Sequence, residues 1–411
     1  MDTTATIFVL VYAGMLAGGL PFLQLDRAGI ALLGAIGLLA SGAISLDQAG
    51  HAIHVPTLLL LFSFMVIAAQ LRLGGFYAWT ANRIGAMNAG PRTLLAALVV
   101  AVAGLAAVFS NDVVCLAVAP VWIEVCARRR LDPVPFLLAL ACAANIGSAA
   151  TLIGNPQNML LGGALGLSFS GYLKTAAIPV LAGIGVIWLV IARIWRGRWD
   201  LPATQACPAA DRQPDDGGRF LDPWQAAKGL AVAATLFGLF VASDRPREIL
   251  ALGGAGILLL SRKLHSRDML GLVDWQVLVL FIGLFIVNDA LERTGLPQQA
   301  VAALAAHGVD LQRPAVLYGA TFALSNLVSN VAAIMLLLPA ASHRDGALLA
   351  LSSTFAGNLL VVGSIANMIV LDAAAQQGIR ISWKQHAMVG VPVTAVTLGI
   401  AAATLLPGMG R

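Results

Sequence analysis

Charged residues are scarce in this chain. Only 11% of its 411 residues are charged, whereas 59% are hydrophobic, and the mean hydropathy is +0.85. Soluble proteins carry about 25% charged residues, so the composition excludes an ordinary soluble protein. The longest polar stretch, Trp199 to Asp222, is too short for a separate soluble domain and is typical of a linker. We therefore expect a multi-spanning membrane protein whose main partner is the lipid bilayer.

Several other features are also missing. The four cysteines, Cys115, Cys126, Cys142 and Cys207, have no CxxC spacing, which argues against a zinc site or a disulfide framework. The net charge of +5 is spread over span ends, so no nucleic-acid partner is expected. No nucleophile or metal cluster suggests an enzyme, and we expect no cofactor beyond a coupling ion. The first apolar run lacks a charged leader and is interpreted as a span rather than a cleaved signal.

Two polar clusters interrupt the apolar sequence of the first half. Phe109-Ser110-Asn111-Asp112 is followed, about one membrane thickness later, by a second cluster from Gly147 to Asn158. An unpaired amide or carboxylate at membrane depth costs several kcal/mol. Such residues indicate a functional site or a specific structural need.

Both clusters recur in the second half. Ser329-Asn330 follows Ser110-Asn111 by 219 positions, and Gly363-Ser364 follows Gly154-Asn155 by 209. The recurrence indicates a duplicated unit. We divide the chain into an N-terminal repeat (1–198), a cytoplasmic linker (199–222) and a C-terminal repeat (223–411).

Hydropathy predicts an all-α polytopic fold of two five-span repeats. The expected spans are Ala5–Leu20, Ala28–Ile44, Val55–Leu73, Val134–Gly166, Thr175–Ile194, Trp224–Val241, Ile249–Ser261, Trp275–Leu291, Ala347–Ala375 and Ala387–Leu406. The fourth and ninth are broken near Gly154 and Gly363. Two further segments, Thr93–Ala127 and Ala315–Ala341, are bent at their Ser-Asn pairs and are interpreted as re-entrant hairpins. Two flanking stretches, Phe76–Met87 and Leu296–His307, are interpreted as interfacial helices.

Lys and Arg residues set the expected orientation. With the linker in the cytoplasm and returning hairpins, 18 of the 25 Lys and Arg residues lie inside and 7 outside, in line with the positive-inside rule. Five crossings in each half make the second repeat inverted relative to the first. The alternative, in which each bent segment crosses once or twice in full, stays open. Inverted repeats with broken helices are typical of secondary transporters.

The helix ends at the clusters offer the chemistry of an ion-coupled site. Helix N-termini attract anions and helix C-terminal carbonyls attract cations. We expect the substrate at seven side chains: Asn111, Asn155, Gln157, Asn158, Asn330, Ser364 and Asn367. We expect the coupling ion, H+ or Na+, near Ser110, Asp112, Gly154, Ser329 and Gly363, with a possible Na+ site at Ser110, Asn111, Asp112 and Gly154. The simpler alternative is that these residues only cap helices.

A few further residues carry weaker signals. Asp112 has no repeat counterpart, because Val331 occupies its place, so it is a proton carrier, a Na+ ligand or a cap. Asp289 is a secondary candidate for a functional role. The histidines His51, His54, His307 and His386 are interpreted as interfacial anchors. Cys115 is interpreted as a packing residue, with contact to a thiophilic substrate as the alternative.

These motifs resemble those of the ion transporter superfamily, which includes divalent-anion/sodium symporters, citrate transporters, arsenite-efflux permeases and sodium/proton antiporters. Ser110-Asn111-Asp112 and Ser329-Asn330-Val331 resemble the paired Ser-Asn-Thr hairpin tips of the anion symporters. Thr151 to Asn158 is similar to their Thr-x-Ile-Gly-Thr-Pro-Pro-Asn break, except at Asn155 and Gln157. The Asn-Asp tip is closer to the arsenite-efflux permeases.

The resemblance implies a homodimer with a scaffold and a mobile transport domain in the bacterial cytoplasmic membrane. It also implies an ion-coupled secondary transporter. The expected cargo is a small ionic substrate, either an inorganic anion or an organic acid, moved by alternating access. The absence of Lys and Arg at the clusters favours a weakly charged or neutral species such as arsenite. Arsenite or antimonite efflux and sodium/proton antiport stay open as alternatives.

Overall fold

The computed structural model describes residues 3–17, 25–200, 221–243 and 245–409. Most of the predicted linker, including Cys207, lies outside these ranges. Within them the regular structure is helical, apart from one isolated bridge between Leu131 and Asp200.

The described residues form twenty α-helices that fall into two series of ten. The first series is α1 (Thr3–Ala17), α2 (Arg27–Ala40), α3 (Leu46–Ala52), α4 (Val55–Leu73), α5 (Phe76–Gly85), α6 (Pro91–Val108), α7 (Asn111–Arg129), α8 (Pro133–Ser148), α9 (Pro156–Ala164) and α10 (Phe169–Ile194). The second is α11 (Pro223–Ala242), α12 (Arg247–Leu259), α13 (Ser266–Gly271), α14 (Trp275–Arg293), α15 (Leu296–Ala306), α16 (Pro314–Leu327), α17 (Asn330–Leu337), α18 (Gly346–Ala356), α19 (Ile365–Gln376) and α20 (Trp383–Met409).

The two series match element by element in helix order. The same turn precedes α5 and α15, since Gly75 and Gly295 both adopt a left-handed conformation with φ of 73°. This conformation suits glycine because glycine has no Cβ. The short helices α3 and α13 are absent from the sequence prediction, yet they also occupy equivalent places.

The predicted spans agree with the helices to within a few residues. The largest difference is in α10, which begins at Phe169 rather than Thr175 because Ser168 caps it, accepting a hydrogen bond from the Gly171 N–H at 3.2 Å. Among the described residues, six helices are long and apolar enough to cross a membrane: α4, α6, α10, α11, α14 and α20. Helices α1, α2, α8, α17 and α19 are apolar but shorter. The inverted orientation of the halves stays a prediction.

The helices pack in two groups, each drawn from both halves. In the first group, α2 packs against α14 and α12 packs against α4. In the second, α6 and α7 pack against α8, α16 packs against α18, and α10 packs against α20. These reciprocal contacts indicate a pseudo-two-fold relation between the halves. The second group holds all four polar interruptions.

Candidate functional site

Each hairpin turns where the sequence predicts. Helix α6 ends at Val108 and α7 begins at Asn111, and the Asn111 N–H donates to the Gly154 carbonyl at 3.2 Å. In the second half, Ser329 caps α17 by accepting from the Ala332 N–H at 3.3 Å. The Ser110 side chain makes no such cap bond. Capping therefore accounts for the second serine but not for the first.

The two broken helices also match the prediction. Helix α8 ends at Ser148 and α9 begins at Pro156, after Asn155 accepts from the Asn158 N–H at 2.9 Å. Helix α18 ends at Ala356 and α19 begins at Ile365, and Ser364 accepts from the Ala366 N–H at 3.2 Å. Asn155 and Ser364 are therefore helix caps, as the simpler alternative held. Both also reach across to the other half.

The two breaks are joined by a reciprocal pair of hydrogen bonds. Asn155 Nδ2 donates to Thr354 Oγ1 at 3.3 Å, and Ser364 Oγ donates to Asn145 Oδ1 at 2.8 Å. Position 354 is 209 after 145, and position 364 is 209 after 155. The same bond is thus made twice, once in each direction. Gln157 Nε2 adds a second donor to Thr354 at 3.3 Å.

Asn145 lies at the centre of this network and is 2% exposed. Its oxygen accepts from Ser364 and from Asn111 Nδ2, the latter at 3.2 Å. Its Nδ2 donates to Asn358 Oδ1 at 2.9 Å and to Asn367 Oδ1 at 3.1 Å. One amide therefore links the first hairpin tip to the second break.

Backbone carbonyls fix the direction of this relay. Asn367 Nδ2 donates to the carbonyls of Gly357 (2.8 Å) and Leu360 (3.0 Å), which can only accept. The Asn367 oxygen must therefore face the Asn145 NH2 group. Asn145 in turn presents its oxygen to Asn111, so Asn111 must present its NH2 group. This leaves Asn111 Oδ1 buried without a hydrogen-bond partner.

A second amide is fixed in the same way. Asn158 Nδ2 donates to the Thr151 carbonyl at 2.9 Å and to the Tyr172 hydroxyl at 3.1 Å. That hydroxyl donates to the Ala149 carbonyl at 2.8 Å. Asn158 Oδ1 is therefore also buried and unpaired.

Unpaired acceptors outnumber unpaired amide donors around the tips and breaks that the structure describes. Buried carbonyl or carboxylate oxygens without partners belong to five side chains: Asn111, Asp112, Asn158, Asn326 and Asn330. The Ser325 hydroxyl, which can donate as well as accept, is also buried without a partner. The unpaired amide donor there is Asn358 Nδ2. Among the described residues, no Lys or Arg side chain hydrogen-bonds to the members of this network. The arrangement suits a ligand that donates hydrogen bonds, or a cation.

All seven predicted substrate residues lie at these tips and breaks, together with the five predicted coupling-ion positions. Their role in binding stays a prediction. Four residues of the network were not predicted from the sequence: Asn145, Thr354, Asn358 and Tyr172. Asn145 carried a usable signal, because it is a lone amide in the apolar run of α8 and aligns with Thr354 at the 209-residue offset.

Two weaker expectations need correction. His386 is not an interfacial anchor, because it is buried to 2% exposure and its Nε2 lies 3.2 Å from the Asn358 carbonyl oxygen. Asp289 does not join the cluster: it pairs with Arg293 one turn later, at 2.6 Å.

Comparison with known proteins agrees with this architecture. The profile of the family described as citrate transporter matches residues 8–347. The chain belongs to the citrate transporter family. It is therefore a multi-pass membrane transporter.

Two relatives match almost end to end. A 46 kDa membrane protein of Mycobacterium leprae is 28% identical over 96% of both chains. The silicon efflux transporter LSI3 of Oryza sativa subsp. japonica is 29% identical over 92% of both chains.

Two solved structures share the fold of this citrate transporter family member. The YdaH transporter of Alcanivorax borkumensis superposes with a TM-score of 0.62 at 14% identity, over 99% of this chain and 97% of that one. MtrF of Neisseria gonorrhoeae superposes with a TM-score of 0.64 at 12% identity, over 98% and 93%. At this identity the likeness shows the fold alone.

Proposed function

We propose that this protein is an ion-coupled secondary transporter for a small weak acid that it binds in its neutral, hydroxylated form, such as arsenite or silicic acid. The observation that carries the proposal is the set of unpaired acceptor oxygens at the tips and breaks. Hydroxyl groups of a neutral acid can donate to Asn111 Oδ1 and Asn158 Oδ1. The name of the rice relative, a silicon efflux transporter, supports this substrate class.

A polycarboxylate such as citrate fits the network poorly. Its carboxylates accept hydrogen bonds and are best held by Arg, Lys or several N–H donors. The network offers amide oxygens whose direction is fixed by the carbonyls of Gly357, Leu360 and Thr151. Carboxylate oxygens would face these oxygens, so repulsion disfavours the multiply charged species.

Asp112 is the residue that we assign to ion coupling. Its Oδ1 is buried and accepts no hydrogen bond, and it has Val331 as its counterpart in the other half. An ionised carboxylate at this depth needs a proton or a cation to balance it. Loading and release of that ion at Asp112 would then accompany substrate movement.

Substrate access requires the helices to move. Asn145, Asn158 and Asn367 are at most 2% exposed, so the centre of the cluster is closed to solvent. Alternating access between the two helix groups would open it to one side at a time. The dimeric scaffold implied by the superfamily remains part of this proposal.

The test is transport by the purified protein in liposomes. Arsenite and silicic acid are offered with an imposed pH or Na+ gradient, and citrate and sulfate serve as comparison substrates. We expect saturable flux of at least one neutral acid. Asn111→Leu should abolish it, whereas the matched variant Asn82→Leu, which alters an amide on α5 outside the cluster, should retain it. Flux of citrate without either neutral acid would refute the proposal.

Sodium/proton antiport is the second candidate, because unpaired oxygens beside a carboxylate also suit Na+. Proteoliposomes with an internal pH dye and no weak acid distinguish the two functions. Proton flux driven by Na+ alone would favour the antiporter. Asp112→Asn should remove the ion dependence under either function, and an unchanged dependence would reduce Asp112 to a structural residue.

A further inference from the structure

His386 occupies an unusual position for a titratable residue. It is buried on α20, and its Nε2 faces the carbonyl oxygen of Asn358, just after α18 ends. A carbonyl can only accept, so Nε2 must carry the ring proton. Nδ1 is therefore the bare nitrogen, and it is buried without a partner. A neutral His386 imidazole is therefore compatible with these surroundings.

The first half makes the same contact with a different residue. Position 358 is 209 after Ala149, which directly follows α8. The Ala149 carbonyl accepts a hydrogen bond from the Tyr172 hydroxyl at 2.8 Å. Tyr172 lies in the first turn of α10, and His386 lies in the first turn of α20, the matching helix. Equivalent break carbonyls are therefore held by a phenol in one half and by an imidazole in the other. A phenol stays protonated across the physiological range, whereas an imidazole titrates within it.

The packing around His386 leaves no place for a positive charge. At Gly390, one turn along α20, an added Cβ would lie 2.3 Å from the Asn358 carbonyl oxygen and 3.2 Å from His386 Nε2. Helices α8, α10, α16 and α18 pack closely against α20, and neither they nor α20 contain an Asp or Glu. An imidazolium would therefore have no carboxylate partner on these helices.

No hydrogen bond or ion pair between described residues joins the ring to the other titratable groups on these helices. They are Cys142 on α8, Tyr172, Lys174 and Arg193 on α10, Tyr318 on α16, and Lys384 on α20. The two tyrosine hydroxyls donate elsewhere, to the Ala149 and Leu398 carbonyls. The cations among them would oppose protonation of His386 in the closed arrangement.

We propose that His386 is a proton-sensitive positioning residue that holds the second helix break closed when neutral and releases it when protonated. Protonation adds one proton from water at Nδ1 and creates a buried N–H donor without an acceptor. The charged ring is stable only when the break moves and water reaches it. Asn358 accepts from Asn145, so this movement is passed to the relay that orients Asn111.

Hydrogen–deuterium exchange of the full chain in nanodiscs tests this without any substrate. Amides of Gly357, Asn358, Leu359 and Gly363 are hydrogen-bonded within the second break. We expect their protection factors, corrected for intrinsic exchange, to fall about tenfold per pH unit below about 6.5, because opening is linked to uptake of one proton. The first break, 149–155, is held by Tyr172 and should show no such slope.

Two variants distinguish the effect of protonating His386 from the effect of its hydrogen bond to Asn358. His386→Gln keeps an N–H donor for Asn358 without a titratable group, so it should retain protection at pH 8 and lose the slope. His386→Tyr copies the first half and serves the same purpose should the Gln variant fold poorly. His307→Gln, at an exposed histidine, should behave as the native protein.

A flat native profile, or an unchanged slope in either His386 variant, would overturn the inference. Because the measurement needs no transported substrate, its outcome is independent of the substrate class proposed above.

Discussion

Replacing Asn145 with leucine should damage the central network more than any comparable change in α8. Leucine has the same number and branching of side-chain heavy atoms but no polar atoms. The change removes the acceptor used by Ser364 and Asn111 and the donor used by Asn358 and Asn367. Four buried polar groups then lose a partner at once.

The expected cost follows from these four bonds. Hydrogen bonds between membrane helices average about 0.6 kcal/mol each, which gives about 2.4 kcal/mol. Bonds in soluble proteins contribute about 0.5–1.5 kcal/mol each, which sets an upper value of about 6 kcal/mol. We therefore expect a loss of about 2–6 kcal/mol. Transport should be lost as well, because Asn111 is no longer oriented by Asn145.

Equilibrium unfolding in mixed micelles and transport in liposomes measure the two effects. Cys142→Ala is the matched control, since Cys142 is buried one turn earlier on α8 and has no part in the relay. A double-mutant cycle with Ser364→Ala should show coupling, because both residues share one bond. Additive losses in the cycle, or an Asn145→Leu variant as stable and active as Cys142→Ala, would refute the relay.

Two further changes test the surroundings of the site. Gly154→Ala should lower the thermal midpoint and the transport flux. The new Cβ would lie 2.3 Å from the Ser148 carbonyl oxygen and 2.7 Å from the Ala106 carbonyl oxygen. Gly104→Ala is the control and should have little effect, because the space around Gly104 is open. Burial raises the pKa of Asp132, which lies in the turn between α7 and α8. The contribution of Asp132 to the free energy of unfolding therefore falls as the pH rises through that raised pKa. Asp132→Asn should therefore gain stability relative to the native protein at pH 7.5 and lose this gain as the buffer is acidified, measured by thermal unfolding across pH.

The sequence predicted the places where helices end because those signals are local. Gly154, Asn155 and Pro156 interrupt an apolar run, and each has a known preference for a turn, a cap or a first helical position. The Ser-Asn hairpin tips are readable for the same reason. Repetition at fixed offsets then showed that the interruptions belong together.

Asn145 was missed because its local sequence contains no turn or cap signal. It lies inside a regular helix, and its partners are on α7, α19 and the second break. Those contacts depend on how the two halves pack, which hydropathy does not encode. His386 was misread for a related reason. Its place near the start of a span suggested an interface, but the second break approaches α20 there and covers it.

Equivalent positions of the two halves carry different side chains at the hairpin tips and at the breaks, and this asymmetry affects the mechanism. If the halves are inverted as predicted, identical repeats would make the inward-open and outward-open arrangements equal in energy in symmetric solutions. Asp112 opposite Val331, and His386 opposite Tyr172, remove that equality. Each half then carries one titratable group that its counterpart lacks, one at a hairpin tip and one at a break. Protons on the two sides of the membrane would act on different halves, so a pH gradient could bias the direction of movement.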